Sequence, residues 1–265
     1  MAASASSGER ASRREDWEVF WKEKQDVGRV YSNEDRILRN LLHLTELRGK
    51  RVLEVGAGTG RDSFPLIQHG AIVYQLDYSE GSLRILKRLA DDLHLEAITV
   101  GGDTFRLPFL DESFDIVFHQ GLLEHFRQAQ AEALLRENVR VLCRGGYLLI
   151  DVPQRYHIYT VAKHILMAFG KWFAGWERSF SVGELTSLLG SFGLKTVHVY
   201  GEWMYPSFFY RSFREALKKL RMELPLNPQP LKILSRLRAK ARSRLWRTRL
   251  PLYSGISIGV VGQKS

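Results

Sequence analysis

The chain has 265 residues, with 39 Lys+Arg against 29 Asp+Glu and a formal net charge of +10. Apolar residues at 45% and charged residues at 26% match a folded soluble protein and argue against disorder over most of its length. A single cysteine, Cys143, excludes an intramolecular disulfide and a multi-cysteine zinc site, and no run of 18 apolar residues exists to form a spanning helix.

Met1 to Arg14 is polar and Ser/Ala-rich, lacks the apolar core of a signal peptide, and reads as a disordered tail over residues 1–14. The expected location is therefore cytoplasmic, or peripheral at a membrane. Asp16 to Lys24 follows as an amphipathic helix with Trp17, Phe20 and Trp21 at helical spacing. A second helix is predicted from Asn33 to Leu47. The rhythm then changes. Short β-branched runs at Arg51–Val55, Ile72–Leu76, Ala97–Val100, Phe114–His119 and Tyr147–Val152 alternate with helical patterns at Arg61–His69, Ser79–Leu93 and Gln128–Leu142. That alternation predicts an α/β fold with a parallel sheet and crossover helices. Gly145-Gly146 reads as the C-cap of the last of these helices. Beyond an aromatic stretch from Tyr156 to Trp176, Ser181 to Phe192 reads as a helix opened by a capping box of Ser181 and Glu184. Leu194–Tyr200 and Gly255–Gly262 read as further strands.

The net charge sits in one place. Between Gly201 and Leu250 stand 13 basic and 3 acidic residues, so the remaining residues carry equal numbers of each sign. Leu231 to Leu250 reads as a basic amphipathic helix. Three occupants of its basic face stay open: an anionic membrane, the phosphates of a nucleic acid, or water alone.

The sharpest motif is Glu54-Val-Gly-Ala-Gly-Thr-Gly60, between a predicted strand and a predicted helix. Glycines there permit a tight turn and a close backbone approach to a ligand, although a strand-to-helix turn alone would use them too. The Gly-x-Gly-x-Gly spacing suits the pyrophosphate of NAD poorly, and Glu54 would repel a diphosphate while it could receive an amino group. Asp77 ends the next strand, where a carboxylate can accept from two ribose hydroxyls. Asp103 ends the strand after that, on the rim where open α/β sheets bind ligands.

Together with Leu76-Asp77, Gly102-Asp103, Leu107-Pro108-Phe109, Ser113-Phe114-Asp115, Leu122-Leu123-Glu124-His125 and Arg144-Gly-Gly-Tyr-Leu148, these pieces resemble a class I S-adenosylmethionine-dependent methyltransferase of the type 11 group, over about Arg51 to Pro153. The resemblance implies a Rossmann-like, seven-stranded, mostly parallel sheet of order 3-2-1-4-5-7-6 with the last strand antiparallel, helices on both faces, and helical and aromatic insertions. It implies domain limits: N-terminal helices over 15–48, a methyltransferase domain over 49–200 and 254–265, an aromatic lid at 155–180 and a basic insertion at 201–253. It also implies roles. Gly56, Ala57, Gly58 and Gly60 would hold the methionine part of the cofactor, S-adenosylmethionine, with Glu54 beneath. Asp77 would take the ribose and Tyr78 would lie beside the adenine. Asp103, Thr104 and Phe105 would contact the adenine, and Gln120-Gly121 would line the methionine end.

Methyl transfer needs an aligned nucleophile in a dry site and, for a hydroxyl, a base. His125 is the candidate base or orienting group, with a capping or packing role as the alternative. His157, Trp172, Trp203 and Tyr205 are candidate acceptor contacts in the aromatic segments. No cluster at metal-ligand spacing stands out. The expected partner is an apolar or amphipathic small-molecule acceptor, with contact to an anionic membrane. An RNA methyltransferase and a non-catalytic cofactor-binding protein are the alternatives, and nucleic acid is the less favoured partner.

Overall fold

The computed structural model describes residues 14–23, 35–170, 172, 176–203, 207–219, 222–225, 240, 243–245 and 248–265. Tyr205 and most of the basic helix read over Leu231–Leu250 lie outside the described residues, as do residues 1–13 of the expected tail.

Seven strands form one sheet: β1 (Arg51–Val55), β2 (Ile72–Asp77), β3 (Ala97–Gly101), β4 (Phe114–Gln120), β5 (Leu142–Pro153), β6 (Leu194–Glu202) and β7 (Ser257–Lys264). Their order is β3-β2-β1-β4-β5-β7-β6, as the family resemblance implies. The first four pairings are parallel, and β7 runs antiparallel to both β5 and β6. Strands β1 and β4 are almost wholly buried, which their runs of Val, Leu, Ile and Phe require of a sheet covered on both faces.

One face carries Leu53, Val117, Leu148, Ile150 and Val260. It packs on α5 (Gln128–Val141) and α7 (Val182–Ser191). The other carries Val52, Val73, Phe118, Leu149 and Val261, under α2 (Arg36–Leu42) and α3 (Phe64–Gln68). Ile37 and Leu41 of α2 are fully buried there, and each such side chain contributes about 1.5–3 kcal/mol. α2 is also tied down by charge. Arg36 Nη1 lies 3.2 Å from Asp151 of β5 and donates to Ser257 Oγ of β7 at 2.8 Å, and Tyr200 Oη donates to Asp151 at 2.9 Å. Burial and hydrogen bonding to Asp151 push the Tyr200 phenol well up. Arg39 pairs with Glu202 at the end of β6.

Two local readings are corrected. The helix expected over Arg61–His69 spans only Phe64–Gln68, because the preceding turn is held by Gly60 and Pro65 enters its first turn. Gly145-Gly146 is not a helix C-cap. Helix α5 runs straight into β5 at Leu142, and the two glycines form an irregularity in β5 opposite Asp115, where the pairing with β4 shifts register. Gly145 has φ +74°, and a Cβ on Gly146 would stand 2.8 Å from the Asp115 carbonyl. The capping box of α7 is present, with the Ser181 amide donating to Glu184 at 2.9 Å.

Candidate active site

The sheet order reverses between β1 and β4, so the crevice at their carboxyl ends is where ligands bind in such sheets. The loop after β1 forms one wall. The amides of Gly56 and Ala57 donate to the Leu76 carbonyl, and Gly58 is fixed from both sides: its amide donates to Asp77 Oδ2 at 2.9 Å and its carbonyl accepts from Ser82 Oγ at 2.7 Å. Gly60 needs its glycine. At φ +67° a Cβ would overlap Gln75 Nε2 and stand 2.7 Å from Leu86 Cδ2.

Asp77 therefore does more than end β2. Its second oxygen accepts from the Ser79 amide at 2.9 Å, so it clamps the glycine loop to helix α4 (Glu80–Leu93), whose N-cap is Ser79. Burial raises the Asp77 pKa against these backbone bonds.

Glu54 is buried beneath the loop, and its Oε2 has no partner. Burial, followed by the charge of Asp62, pushes its pKa well up, with Asp77 adding to the effect and a hydrogen bond from Ser63 opposing it. An uncompensated buried carboxyl oxygen beside a glycine cradle fits a cationic amino group, which is what the methionine end of S-adenosylmethionine presents. Just beyond β3, Thr104 is buried with an unpartnered hydroxyl. Asp103 is exposed and accepts from the Phe105 amide at 2.9 Å, Phe105 packs edge-on to Phe126, and Tyr78 is half-buried. Gln120 and Gly121 close the opposite wall at the end of β4, and Gly121 has φ +68°.

The next turn places Glu124 and His125 on the same rim, both buried. Burial lowers the His125 pKa, with the Lys163 charge adding to this and Glu177 opposing it; its Nδ1 has no partner. Burial and the nearby Glu177 push the Glu124 carboxyl up to about 8, and its Oε2 is unpartnered. His119, at the end of β4, is fully buried and its pKa falls to about 3.

The sequence reading missed what stands around this pair. Lys163, on α6 (Ile158–Ala168), is fully buried, and its Nζ lies 2.8 Å from Glu177 Oε2; Glu177 Oε1 accepts from Trp172 Nε1 at 2.7 Å. The signal was a lysine interrupting an apolar helix. Trp172 thereby joins the site, with Tyr159 packed edge-on against it. His157 instead caps α6, its Nδ1 accepting from the Tyr159 amide at 3.1 Å. Trp203 donates to Ser254 Oγ at 2.8 Å. The second unforeseen wall is α1 (Arg14–Glu23). A Cβ on Gly58 would stand 2.9 Å from Trp21, Trp17 meets the His125 ring edge-on at 4.9 Å, and the Glu80 amide at the start of α4 donates to Glu18 at 3.1 Å.

Residues 53–150 match the family model described as a methyltransferase domain. A demethylmenaquinone methyltransferase of Renibacterium salmoninarum is 38% identical over 102 residues, which are 38% of this chain and 40% of that protein. A ubiquinone biosynthesis O-methyltransferase of Coxiella burnetii is 29% identical over 165 residues, 60% of this chain and 70% of that protein. Among solved structures, a SAM-dependent methyltransferase from Thermotoga maritima superposes with a TM-score of 0.62 at 20% identity, covering 96% of this chain and 100% of that one. Magnesium protoporphyrin IX methyltransferase from Synechocystis, with bound SAH, gives 0.58 at 16% identity, over 88% of this chain and 81% of that one.

Proposed function

We propose that this chain, whose body is a class I S-adenosylmethionine-dependent methyltransferase domain of the type 11 group, methylates an oxygen or nitrogen of an apolar or amphipathic small molecule, with carbon a less favoured acceptor atom. The observation that carries this reading is the site's asymmetry. The cofactor wall is polar backbone and carboxylate, whereas the facing wall brings Trp17, Tyr159 and Trp172 around a few buried titratable groups. Such a pocket selects for apolar surface with one or two placed polar atoms. The quinone-related names of the two relatives support an acceptor of this class.

When bound, S-adenosylmethionine supplies an electrophilic methyl group. Glu54 would hold the amino group, Asp77 the ribose and Thr104 the adenine edge. His125, kept neutral by burial, offers an unpartnered Nδ1 to the proton of an acceptor hydroxyl. Glu124, pushed up to about 8, is largely protonated at neutral pH and can donate to the acceptor. Trp17 and Trp172 exclude water from that exchange.

The test is incubation of the full chain with radiolabelled S-adenosylmethionine and cell extract divided into lipid and RNA fractions. Label in the lipid fraction supports the reading. Label in RNA replaces it with the nucleic-acid reading. Cofactor binding with no label in either leaves a non-catalytic binding protein.

A further inference from the structure

Helix α6 is built inside out. A helix on a protein surface turns its apolar stripe to the core and its polar face to water. Here Thr160 and Lys163 are the fully turned-in residues, while Ile158, Val161, Ile165 and Phe169 stand at helical spacing with exposures of 54, 57, 55 and 74%. Tyr156, just before the helix, is 64% exposed. The informative departure is this conjunction of buried polar and exposed large apolar groups, because scattered surface leucines are ordinary.

The stripe does not stand alone. α6 leaves the end of β5, α8 (Phe208–Lys219) leaves the end of β6, and α9 (Leu250–Ser254) leads into the start of β7, so all three stand on one rim. Phe209 and Phe213 of α8, at i and i+4, are 73 and 58% exposed, and Tyr253 of α9 is 61% exposed.

Charge selects the occupant. Residues 156–176 include no Asp or Glu, and the sequence stretch Gly201–Leu250, to which α8 belongs, has 13 basic residues against 3 acidic. Among its described residues, Lys218, Lys240, Arg244 and Arg249 are exposed. A second copy would bring like charge to like charge, which disfavours a symmetric dimer through this face. An anionic bilayer satisfies both features at once, taking the apolar side chains into its interface and the cations onto its headgroups.

We propose that the outward face of α6, with Phe209 and Phe213 of α8, is the surface by which this protein lies on an anionic lipid membrane. Its inner face adjoins the pocket, through Lys163 and its contacts to Glu177 and Trp172. An acceptor dissolved in the bilayer then passes the edge of α6 to His125 without crossing bulk water. This last step rests on the proposed reading of the acceptor as apolar; the membrane contact itself does not.

The experiment is co-sedimentation of the full chain with vesicles of phosphatidylcholine alone and of phosphatidylcholine with phosphatidylglycerol. It uses the wild type, Ile165→Glu with Phe169→Glu, and the control Leu110→Glu. Leu110 is 83% exposed at the opposite rim, before the start of β4. Circular dichroism and S-adenosylhomocysteine titration check that each variant is folded. The expected result is binding to the anionic vesicles that falls at least about tenfold in the double variant and is unchanged in Leu110→Glu. No vesicle binding by the wild type overturns the proposal, as does binding indifferent to the α6 substitutions. A wild-type dimer that the double variant dissociates overturns it in favour of a protein interface. Failure of cofactor titration in the wild type would instead sink the methyltransferase reading, and the vesicle result would stand independently.

Discussion

Replacing Glu54 by Gln separates two effects that the buried carboxyl combines. In the free protein its oxygen is unpartnered and its pKa lies well above the ordinary 4.5, from burial first and the Asp62 charge second. A carboxyl whose folded pKa is raised binds more protons folded than unfolded. Stability therefore falls as pH rises from the unfolded pKa toward the folded one, and that loss is absent below the unfolded pKa. Gln has the same shape and no charge, so Glu54→Gln should remove this decline and leave the free protein at least as stable as wild type above neutral pH. Cofactor binding should move the opposite way. A hydrogen bond between a carboxylate and an ammonium contributes about 1.5–3 kcal/mol, so the variant should bind S-adenosylhomocysteine roughly 10- to 150-fold more weakly. Ionisation of Glu54 against the amino group should also release up to about one proton on binding. Calorimetry at near-neutral pH in buffers of different ionisation enthalpy reads both numbers, and urea unfolding across pH reads the first. An affinity loss under about threefold, with no difference in proton release between wild type and variant, would refute the assignment of Glu54 to the amino group.

The glycine loop and the buried ion pair allow equally direct checks. Gly60→Ala adds left-handed strain of about 1–2 kcal/mol and overpacking of about 1–3 kcal/mol against Gln75, Leu86 and Phe64, whereas Gly145→Ala, at φ +74° with open space, adds the strain alone. Thermal unfolding should rank Gly60→Ala as clearly the more damaging, and equal shifts would deny the close packing. Lys163→Met strands Glu177 with only the Trp172 donor and should cost about 3–5 kcal/mol. Adding Glu177→Gln should recover most of it in denaturant titrations, and a double variant as unstable as the single one would show that the pair is not the source.

The motif of the proposed cofactor half of the site was legible because its residues are local. Strand, glycine turn, helix and the carboxylate ending the next strand follow one another in the chain, and each leaves a compositional mark at Glu54, Gly60 and Asp77. Gly145-Gly146 shows the limit of that reading, since a glycine doublet between helix and strand serves a C-cap and a bulge equally, and only the register of β4 against β5 decides. The proposed acceptor half was less legible because its contacts are distant or reversed in pattern. Lys163 and Glu177 stand 14 residues apart with no periodic signal, and Trp21 meets Gly58 from a helix far upstream. His157 shows the converse, a residue whose type suggests chemistry and whose Nδ1 is occupied in capping α6.

The position of β7 sets an order on how the protein comes into being. β6 pairs with β7 alone, and β7 in turn separates it from β5. During synthesis, β1 to β5 can assemble as they emerge, complete with the glycine loop and Asp77. β6 has no edge to join until residues 257–264 have followed it out of the ribosome and threaded between the two strands. The proposed cofactor wall is thus within reach of a nascent chain. The seat of α2, hydrogen-bonded to Ser257 and ion-paired with Glu202, and the rim proposed for the acceptor wait for the completed sheet.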